Sequence, residues 1–318
     1  MAEAAIVVPF RGSWDQLFPL LEALGSQTVI DKLILVLSVD GLFEPPEEVS
    51  QMVDLVVKGP ESGPAAARNR GWKSTEAQLV LFTDADCIPE PDWAEKMILA
   101  LRGKYQAVKG VYSSGGPSLI QRLAQVEFLE RYRILAGRKS VFLADTYSAG
   151  FRRDWLEKLE GFDETFPFPD HEDVDLSWRL VREGGLIGFV PEARVAHTHR
   201  STWTGYFRLK LRRGKWRVMV LREFPAMAVS DGYTPQAMKL QMFLVPFILA
   251  STLILPDAYS AVPAFLFLLS SIPLSLVALR EDPKVLPLVP FFAFWRASAL
   301  LAGAAAGFIE GRRKCLPR

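Results

Sequence analysis

Two carboxylates, Asp84 and Asp86, follow an apolar run at residues 79–82 and are separated by one residue. Four apolar residues flanked by polar ones are typical of a strand in the middle of a covered sheet. Alternate side chains of extended backbone point the same way, so the two carboxylates can converge on one point. Converging carboxylates repel each other unless a cation lies between them, and hard oxygen ligands favour Mg²⁺ or Mn²⁺. The alternative is that both residues only end the strand on a solvated turn.

A second acidic group lies between positions 170 and 175, at the start of a predicted helix, and includes Glu172, Asp173 and Asp175. One interpretation is electrostatic, because acidic residues in a first turn interact favourably with the helix dipole. The other is catalytic, because displacement by an acceptor oxygen needs a carboxylate that takes up the acceptor's proton. Both interpretations stay open at this point.

Two histidines, His197 and His199, alternate after a predicted short strand. A single histidine in a sequence is usually structural, but an alternating pair could add a ligand to an acidic metal site. We therefore take His199 as a candidate third metal ligand beside Asp84 and Asp86.

Alternating strands and helices must position these residues. This alternation predicts a mostly parallel sheet with right-handed crossovers, in which ligands bind beyond the carboxyl ends of the strands. Pro9, Asp40 and Asp84 all lie at such ends, which predicts one shared site, although Asp40 could equally cap a turn with Gly41. The predicted strands cover residues 4–9, 33–39, 53–57 and 79–83.

The composition limits the class of protein. The formal net charge of +1 over 318 residues argues against a general nucleic-acid binder, although the segment from Arg200 to Arg222 is strongly basic. Cys87 and Cys315 lie far apart, so they predict neither a disulfide framework nor a zinc site and fit a reducing compartment. The first residues lack the pattern of a signal peptide. The apolar content of 50% is high, and the excess follows Lys239.

Several segments, in the family's order, resemble family 2 glycosyltransferases. Residues 79–93 resemble the Asp-x-Asp region, in which an apolar strand leads to the carboxylates, proline and a helix. Residues 63–71 resemble the Gly-x-x-x-Ala-Arg-Asn-x-Gly element that borders the donor site. Residues 149–155 and 161–164 resemble the acceptor-side pattern, a small-residue strand followed by Gly-Phe-Asp-Glu. Residues 171–173 resemble the Thr-Glu-Asp motif, with His in place of Thr.

The resemblance implies an α/β domain of the GT-A (Rossmann-like) fold, with a mostly parallel sheet, that transfers a hexose from a UDP- or GDP-sugar with inversion. Asp173 matches the family's general base. The implied donor-site residues are Pro9, Arg11, Asp40, Arg68, Asp84 and Asp86. The implied acceptor-side residues are Glu172, Gly150, Arg152, Arg212, Arg213, Lys215 and Trp216. For Arg68 the alternative is an ordinary place on a solvated helix.

The last four acceptor-side residues belong to a basic segment whose apolar residues, from Trp203 to Leu221, follow one helical stripe. This pattern is typical of a helix that lies at a membrane surface. Residues 212–216 loosely resemble the Gln-x-x-Arg-Trp element of cellulose-synthase-like members, with Arg212 in place of Gln and Lys215 in place of Arg. A plain interfacial basic helix is the alternative.

Three apolar stretches follow, at residues 240–256, 261–279 and 285–309, and the third contains Arg296 near its middle. About 20 apolar residues are needed to span a membrane, so the first two predict a helical hairpin. Three spans would place Arg312, Arg313 and Lys314 outside the cell, against the positive-inside rule. Either the third stretch is interfacial or re-entrant, or the rule is overruled.

We therefore expect three regions: a catalytic domain at 1–200, an interfacial segment at 201–238 and membrane-anchoring helices at 239–318. The expected location is the cell membrane, with the catalytic domain on the cytoplasmic side. The expected acceptor is a polyprenyl phosphate or a lipid-linked glycan, and the alternative is a soluble or protein-borne glycan. A non-catalytic scaffold is a further alternative, and homo-oligomerisation stays open. A haloacid-dehalogenase-type phosphatase and a sugar nucleotidyltransferase fit less well, because their characteristic loops are missing.

Overall fold

The computed structural model describes residues 2–166, 171–228, 231–254 and 257–310 of the chain. The chain divides into two units. The sheet unit comprises Met1–Ser114 and Arg138–Thr198, and the helical unit comprises Gly115–Gly137 and His199–Arg318. Residues 115–137, which the sequence assigned to the catalytic domain, thus belong to the helical unit.

The described residues form eight strands: β1 (Ala4–Phe10), β2 (Leu33–Asp40), β3 (Leu55–Gly59), β4 (Leu79–Thr83), β5 (Cys87–Pro89), β6 (Ala107–Ser114), β7 (Ser148–Arg152) and β8 (Ile187–His197). They form one sheet in the order β3-β2-β1-β4-β7-β6-β8-β5. The helices of the same unit are α1 (Phe18–Gly25), α2 (Glu47–Gln51), α3 (Pro64–Lys73), α4 (Trp93–Leu101), α6 (Arg153–Lys158) and α7 (Glu172–Arg182).

The sheet is mixed, and four of its seven strand pairings are parallel. Strands β3, β2, β1 and β4 are parallel neighbours, as the sequence predicts. Strand β7 runs antiparallel to β4 and to β6, and β5 runs antiparallel to β8. A strand that is buried on both faces has a uniformly apolar sequence whichever way its neighbours run, so the pattern does not reveal its direction.

The helical unit contains α5 (Leu119–Ala136), α8 (Trp203–Glu223), α9 (Gln236–Ile254), α10 (Asp257–Ser270), α11 (Ile272–Glu281) and α12 (Val289–Ile309). Helices α8 and α12 lie in direct backbone contact. A Cβ atom added to Gly303 would lie 1.9 Å from the carbonyl oxygen of Leu211, and one added to Gly214 would lie 2.3 Å from that of Leu300. Only glycine permits this approach, so the small-residue run at the end of the chain serves helix packing.

The predicted membrane segments fold differently from one another. By length and composition, Pro283–Ile309 is the one straight helical stretch in the described part of the chain that could cross a membrane. The second predicted span consists of α10 and α11, which are bent by 43° at Ser271. Helix α9 contributes a shorter apolar segment, Gln236–Ser251. The basic residues at 312–314 and Cys315 lie outside the described residues.

Candidate active site

The Asp-x-Asp carboxylates lie at the end of β4, in the turn that leads to β5. The side chain of Asp86 is 73% exposed, whereas that of Asp84 is about one-third exposed. The backbone N–H of Cys87 donates to the carbonyl of Asp84 at 3.0 Å, which closes the turn. A turn, rather than extended backbone, therefore presents the two carboxylates.

Arg68 links this turn to helix α7. Its guanidinium, on α3, donates to Asp84 Oδ1 at 2.8 Å and to Glu172 Oε1 at 2.6 Å. Arg68 is only 2% exposed, so the alternative of a solvated helix position is wrong. One buried guanidinium thus holds the Asp-x-Asp turn and the first residue of α7 together.

The carboxylates of Asp84 and Glu172 share the single positive charge of Arg68, and the pKa values of all three groups are shifted. Burial acts to lower the pKa of Arg68, but Asp84 and Glu172 outweigh it and raise the pKa above its ordinary value. Burial raises the pKa of Asp84, with added repulsion from Asp86 and Asp173 and opposition from Arg68. Burial likewise raises the pKa of Glu172 to about 7, against the attraction of Arg68. The site thus contains two carboxyl groups, those of Asp84 and Glu172, and one cation, Arg68, which can neutralise only one of them.

The three carboxylates at the start of α7 have different environments. Glu172 is held by Arg68, and Asp175 accepts from Arg179 Nε at 2.8 Å within the protein interior. Asp173 is half-buried, and its carboxylate accepts the backbone N–H of Val174 at 2.8 Å. No cation of the described chain forms an ion pair with Asp173. Of the three, Asp173 therefore has the carboxylate most available to a ligand.

The predicted acceptor-side loop, residues 161–164, is anchored on α3 by Asn69. The Asn69 side chain donates to the carbonyl of Phe162 at 2.9 Å and to Glu164 at 2.8 Å, and it accepts from the backbone N–H of Phe162 at 3.0 Å. Gly161 has a φ of 72°, and a Cβ there would lie 2.4 Å from Asn69 Oδ1. The glycine is needed for both reasons.

The histidine nearest the carboxylates is His197, not the predicted His199. Pairing of β5 with β8 places His197 opposite Cys87, and its Nε2 lies 3.4 Å from Asp86 Oδ2. His199 lies beyond β8, where its ring contacts Gln125 at 2.9 Å and stacks on Phe128. Sequence spacing could not separate the two, because the choice depends on the register between two distant segments.

Three further predicted donor residues lie near the ends of β1 and β2. Arg11 forms an exposed ion pair with Glu61 at 2.6 Å, and Pro9 is half-buried within β1. The carboxylate of Asp40 is buried and accepts the backbone N–H groups of Ser62 and Gly63, at 2.9 and 3.1 Å. Asp40 thus stabilises the loop before α3, which favours a structural role; its contact with a nucleotide stays a prediction.

The remaining acceptor-side candidates divide between the two units. Gly150 lies in the buried middle of β7, and Arg152 lies 3.9 Å from Asp154. In the helical unit, Lys215 pairs with Glu310 at 2.7 Å. The other three candidates of that unit are partly buried along α8, at Arg212, Arg213 and Trp216.

The oxygen-rich chemistry at Asp84 and Asp86 suits a hard divalent cation. The described residues include no group of three or more histidine, cysteine or acidic side chains that could hold a metal. Two carboxylates alone fit a metal whose remaining ligands are water and substrate phosphates, as is common for Mg²⁺. His197, whose Nε2 lies 3.4 Å from Asp86 Oδ2, is a candidate additional donor.

Sequence reasoning missed a buried ionic cluster in the helical unit. The carboxylate of Glu127, on α5, accepts from Lys210 Nζ at 2.7 Å and from Tyr206 OH at 2.5 Å, and it pairs with Arg131. Burial opposes ionisation of Glu127, but Lys210 and Arg131 hold its pKa well below the ordinary value. The spacing of Glu127 and Arg131, four residues apart on one helix, was the available signal.

Comparison with known proteins agrees with this architecture. Residues 5–160 match the family model described as Glycosyl transferase family 2. The pre-mycofactocin glycosyltransferase of Mycobacterium tuberculosis is 29% identical over 212 residues, covering 63% of this chain and 43% of that protein. Glycosyltransferase AglE of Haloferax volcanii is 22% identical over 233 residues, covering 68% and 73%. The chain thus spans less than half the length of the mycobacterial relative.

A solved structure shows the same fold. The mannosyltransferase PcManGT from Pyrobaculum calidifontis, in complex with GDP-Man and Mn²⁺, superposes with a TM-score of 0.60 at 18% identity. The superposition covers 97% of this chain and 87% of that chain, and it confirms the GT-A fold that the sequence implied. By its motifs, its fold and the family match, residues 5–160 of the chain form a family 2 glycosyltransferase domain.

Proposed function

We propose that the protein is a metal-dependent glycosyltransferase that moves a hexose from a UDP- or GDP-sugar, with inversion, to an acceptor at a membrane. The ion bridge Asp84–Arg68–Glu172 carries this proposal, because it ties the metal-binding turn to the helix that presents Asp173. A donor-binding group and a proton acceptor are thereby held in one buried framework. Preorganisation of this kind is what single-displacement transfer requires.

Asp173 acts as the general base in this proposal. Its carboxylate takes the proton of the acceptor hydroxyl as the hydroxyl oxygen attacks the anomeric carbon, and the nucleoside diphosphate leaves. A divalent cation held by Asp84 and Asp86 would supply positive charge for the leaving diphosphate. Glu172 and Asp175 are engaged with arginines and serve to position α7. PcManGT, with its bound GDP-Man and Mn²⁺, supports the same donor class on this fold.

The membrane part of the proposal rests on the helical unit. Apolar side chains are exposed along α9, α10 and α11, which suits contact with lipid. A polyprenyl phosphate or lipid-linked glycan would leave its tail in the bilayer while its hydroxyl or phosphate reaches the base. Arg212 and Arg213 remain candidates for its phosphate, and Lys215 pairs with Glu310. The proposed location is the cell membrane, with the sheet unit on the cytoplasmic side.

A second candidate is a membrane-tethered enzyme whose acceptor is not a lipid. The name of the mycobacterial relative, pre-mycofactocin glycosyltransferase, supports this candidate, because it names no lipid. A non-catalytic scaffold is disfavoured, because Asp84, Asp86 and Asp173 are all present in their expected places.

Transfer assays with the full-length protein in detergent test both candidates. The donors are UDP- and GDP-hexoses with Mg²⁺ or Mn²⁺, and the acceptors are polyprenyl phosphates, lipid-linked sugars and free oligosaccharides. We expect metal-dependent transfer to the lipid acceptors. Transfer only to the free oligosaccharides would replace the lipid acceptor with the second candidate. Donor binding without transfer to any acceptor, in Asp173→Asn and in the unchanged protein alike, would favour the scaffold.

A further inference from the structure

The apolar stretch with the clearest span-like sequence, α12, is covered by α8 along its length. Trp203, at the start of α8, contacts Phe291, near the start of α12, with ring centroids 5.2 Å apart. At the other end, the Arg222 side chain donates to the carbonyl of Phe308 at 3.0 Å. The two helices therefore run side by side in the same direction, with the close glycine contacts between these ends.

Helix α8 is unsuited to a bilayer interior. It carries seven lysine and arginine residues within its 21 positions. If α12 crossed the membrane, α8 would have to lie in the bilayer beside it. Its charged side chains would then be within hydrocarbon, which is costly in free energy. Arg296, near the middle of α12, is itself buried in the protein and donates to Gln241 at 2.9 Å. Both observations assign α12 to the interior of the helical unit rather than to lipid.

Most of the exposed large apolar side chains of the helical unit lie on α9, α10 and α11, whereas α12 exposes Phe291, Phe308 and Ile309 near its two ends. Asp257 is the only charged residue between Lys239 and Arg280. Large apolar side chains are more than 40% exposed on all three helices, including Phe243, Phe247, Val262, Phe265, Ile272 and Leu276. A large exposed apolar surface is unfavourable in water, and the composition of this face fits contact with hydrocarbon.

Polar anchors mark where this apolar hairpin begins and ends. Near the start of α9, Gln241 donates to the carbonyl of Ser270, at the bend between α10 and α11, at 3.1 Å. At the end of α11, Asp282 accepts from Arg122 Nε of α5 at 2.6 Å. Gln241 also accepts from Arg296 of α12, so the start of α9 is held on α12 and the end of α11 on α5. Lys239, Arg280 and Lys284 flank the arms, where they complement anionic lipid head groups.

We infer that the helical unit enters the bilayer only through the hairpin of α9 with α10 and α11, and that α12 stays on the side from which the hairpin enters. The inference rests on the membrane location proposed above. It also removes the conflict with the positive-inside rule, because two passages through the bilayer replace three. The partner of the exposed face is then a lipid bilayer with anionic head groups.

Single cysteines in membrane vesicles test this topology, with Cys315 replaced by serine and the buried Cys87 retained. Thr204→Cys reports the start of α8, Ile309→Cys the end of α12, and Phe265→Cys the exposed face of α10. A membrane-impermeant maleimide should label Thr204→Cys and Ile309→Cys from the same side. It should label Phe265→Cys at least ten-fold more slowly until the membrane is dissolved. Each variant is first checked for unchanged elution in detergent.

Each other result has a distinct meaning. Labelling of Ile309→Cys only from the side opposite Thr204→Cys would show that α12 crosses, and it would overturn the inference while leaving the membrane location intact. Fast labelling of Phe265→Cys in sealed vesicles would show that the hairpin is not embedded, which also overturns it. Release of the unchanged protein from membranes by alkaline carbonate would instead overturn the membrane location in the proposed function.

Discussion

The variant Glu172→Gln tests whether ionised Glu172 adds a negative charge that Arg68 does not neutralise. The folded-state pKa of Glu172 lies near 7, against an ordinary value of 4.5, because burial disfavours its ionised form. A carboxyl with a raised pKa stabilises the folded state fully below pH 4.5, and this contribution is lost as the pH rises through 7. Glutamine has the same shape and cannot ionise, so this pH dependence should disappear in the variant.

The expected magnitude follows from the two pKa values. Their separation corresponds to about 3 kcal/mol, of which about 2 to 3 kcal/mol falls between pH 5 and pH 8. Over that interval the free energy of opening α7 should fall by this amount in the unchanged protein relative to Glu172→Gln. At pH 8 the variant should be no less stable than the unchanged protein, since Arg68 keeps its bond to Asp84.

Hydrogen exchange of the peptides that cover α3 and α7, in metal-free buffer, measures this opening free energy at each pH. Comparison at equal pH cancels the intrinsic pH dependence of exchange. Asp175→Asn is the matched control: Asp175 is equally buried on the same helix but has Arg179 to itself. The control should lose stability at every pH, because it leaves a buried cation unpaired. Parallel pH profiles for the unchanged protein and Glu172→Gln would refute the reasoning.

Three other predictions concern catalysis, the metal and the helix contact. Asp173→Asn should lower turnover by about 10² to 10⁴-fold with unchanged nucleotide affinity, as measured by transfer assays and calorimetry. Asp86→Ala should abolish the Mn²⁺- or Mg²⁺-dependent part of UDP or GDP binding in calorimetry, whereas Asp92→Ala, at the exposed start of α4, should not. Gly303→Ala should lower the stability of the helical unit by about 1 to 3 kcal/mol in denaturant titrations, because its Cβ meets backbone 1.9 Å away; Ala302→Val, on the exposed side, is the control.

Each of these predictions has a result that would contradict it. Near-normal turnover in Asp173→Asn would place the base on another carboxylate. Unchanged metal-dependent binding of UDP or GDP in Asp86→Ala would show that Asp86 is not a metal ligand. Equal stability of Gly303→Ala and Ala302→Val would mean that α8 and α12 do not meet as closely as described.

Local elements of this chain could be predicted from the sequence alone. The bounds of β1, β2 and β4 agree to within one residue with those expected from the apolar pattern. Each of these strands is a nearly continuous apolar run, so neighbouring residues contain the necessary information. The order of family motifs likewise identified the family, because it depends only on residue types and their spacing.

The contacts of the site could not be predicted in this way. Arg68 and Glu172 are 104 positions apart, and nothing near either residue indicates the other. The position of His197 beside Asp86 depends on the antiparallel register of β5 and β8. The antiparallel direction of β7 is equally invisible in its sequence. These features follow from how distant segments pack, which local composition does not encode.

The same distinction applies to the apolar end of the chain. Hydropathy is a property of composition, so the sequence alone shows that residues 240–256, 261–279 and 285–309 are apolar enough for lipid. Only the tertiary structure decided which of these helices is covered by α8 and which face outward. Helix α12 passes the test of length and apolar content because an internal helix and a membrane span meet the same requirement, a surface without water. Tertiary packing alone decides whether protein or lipid covers such a helix.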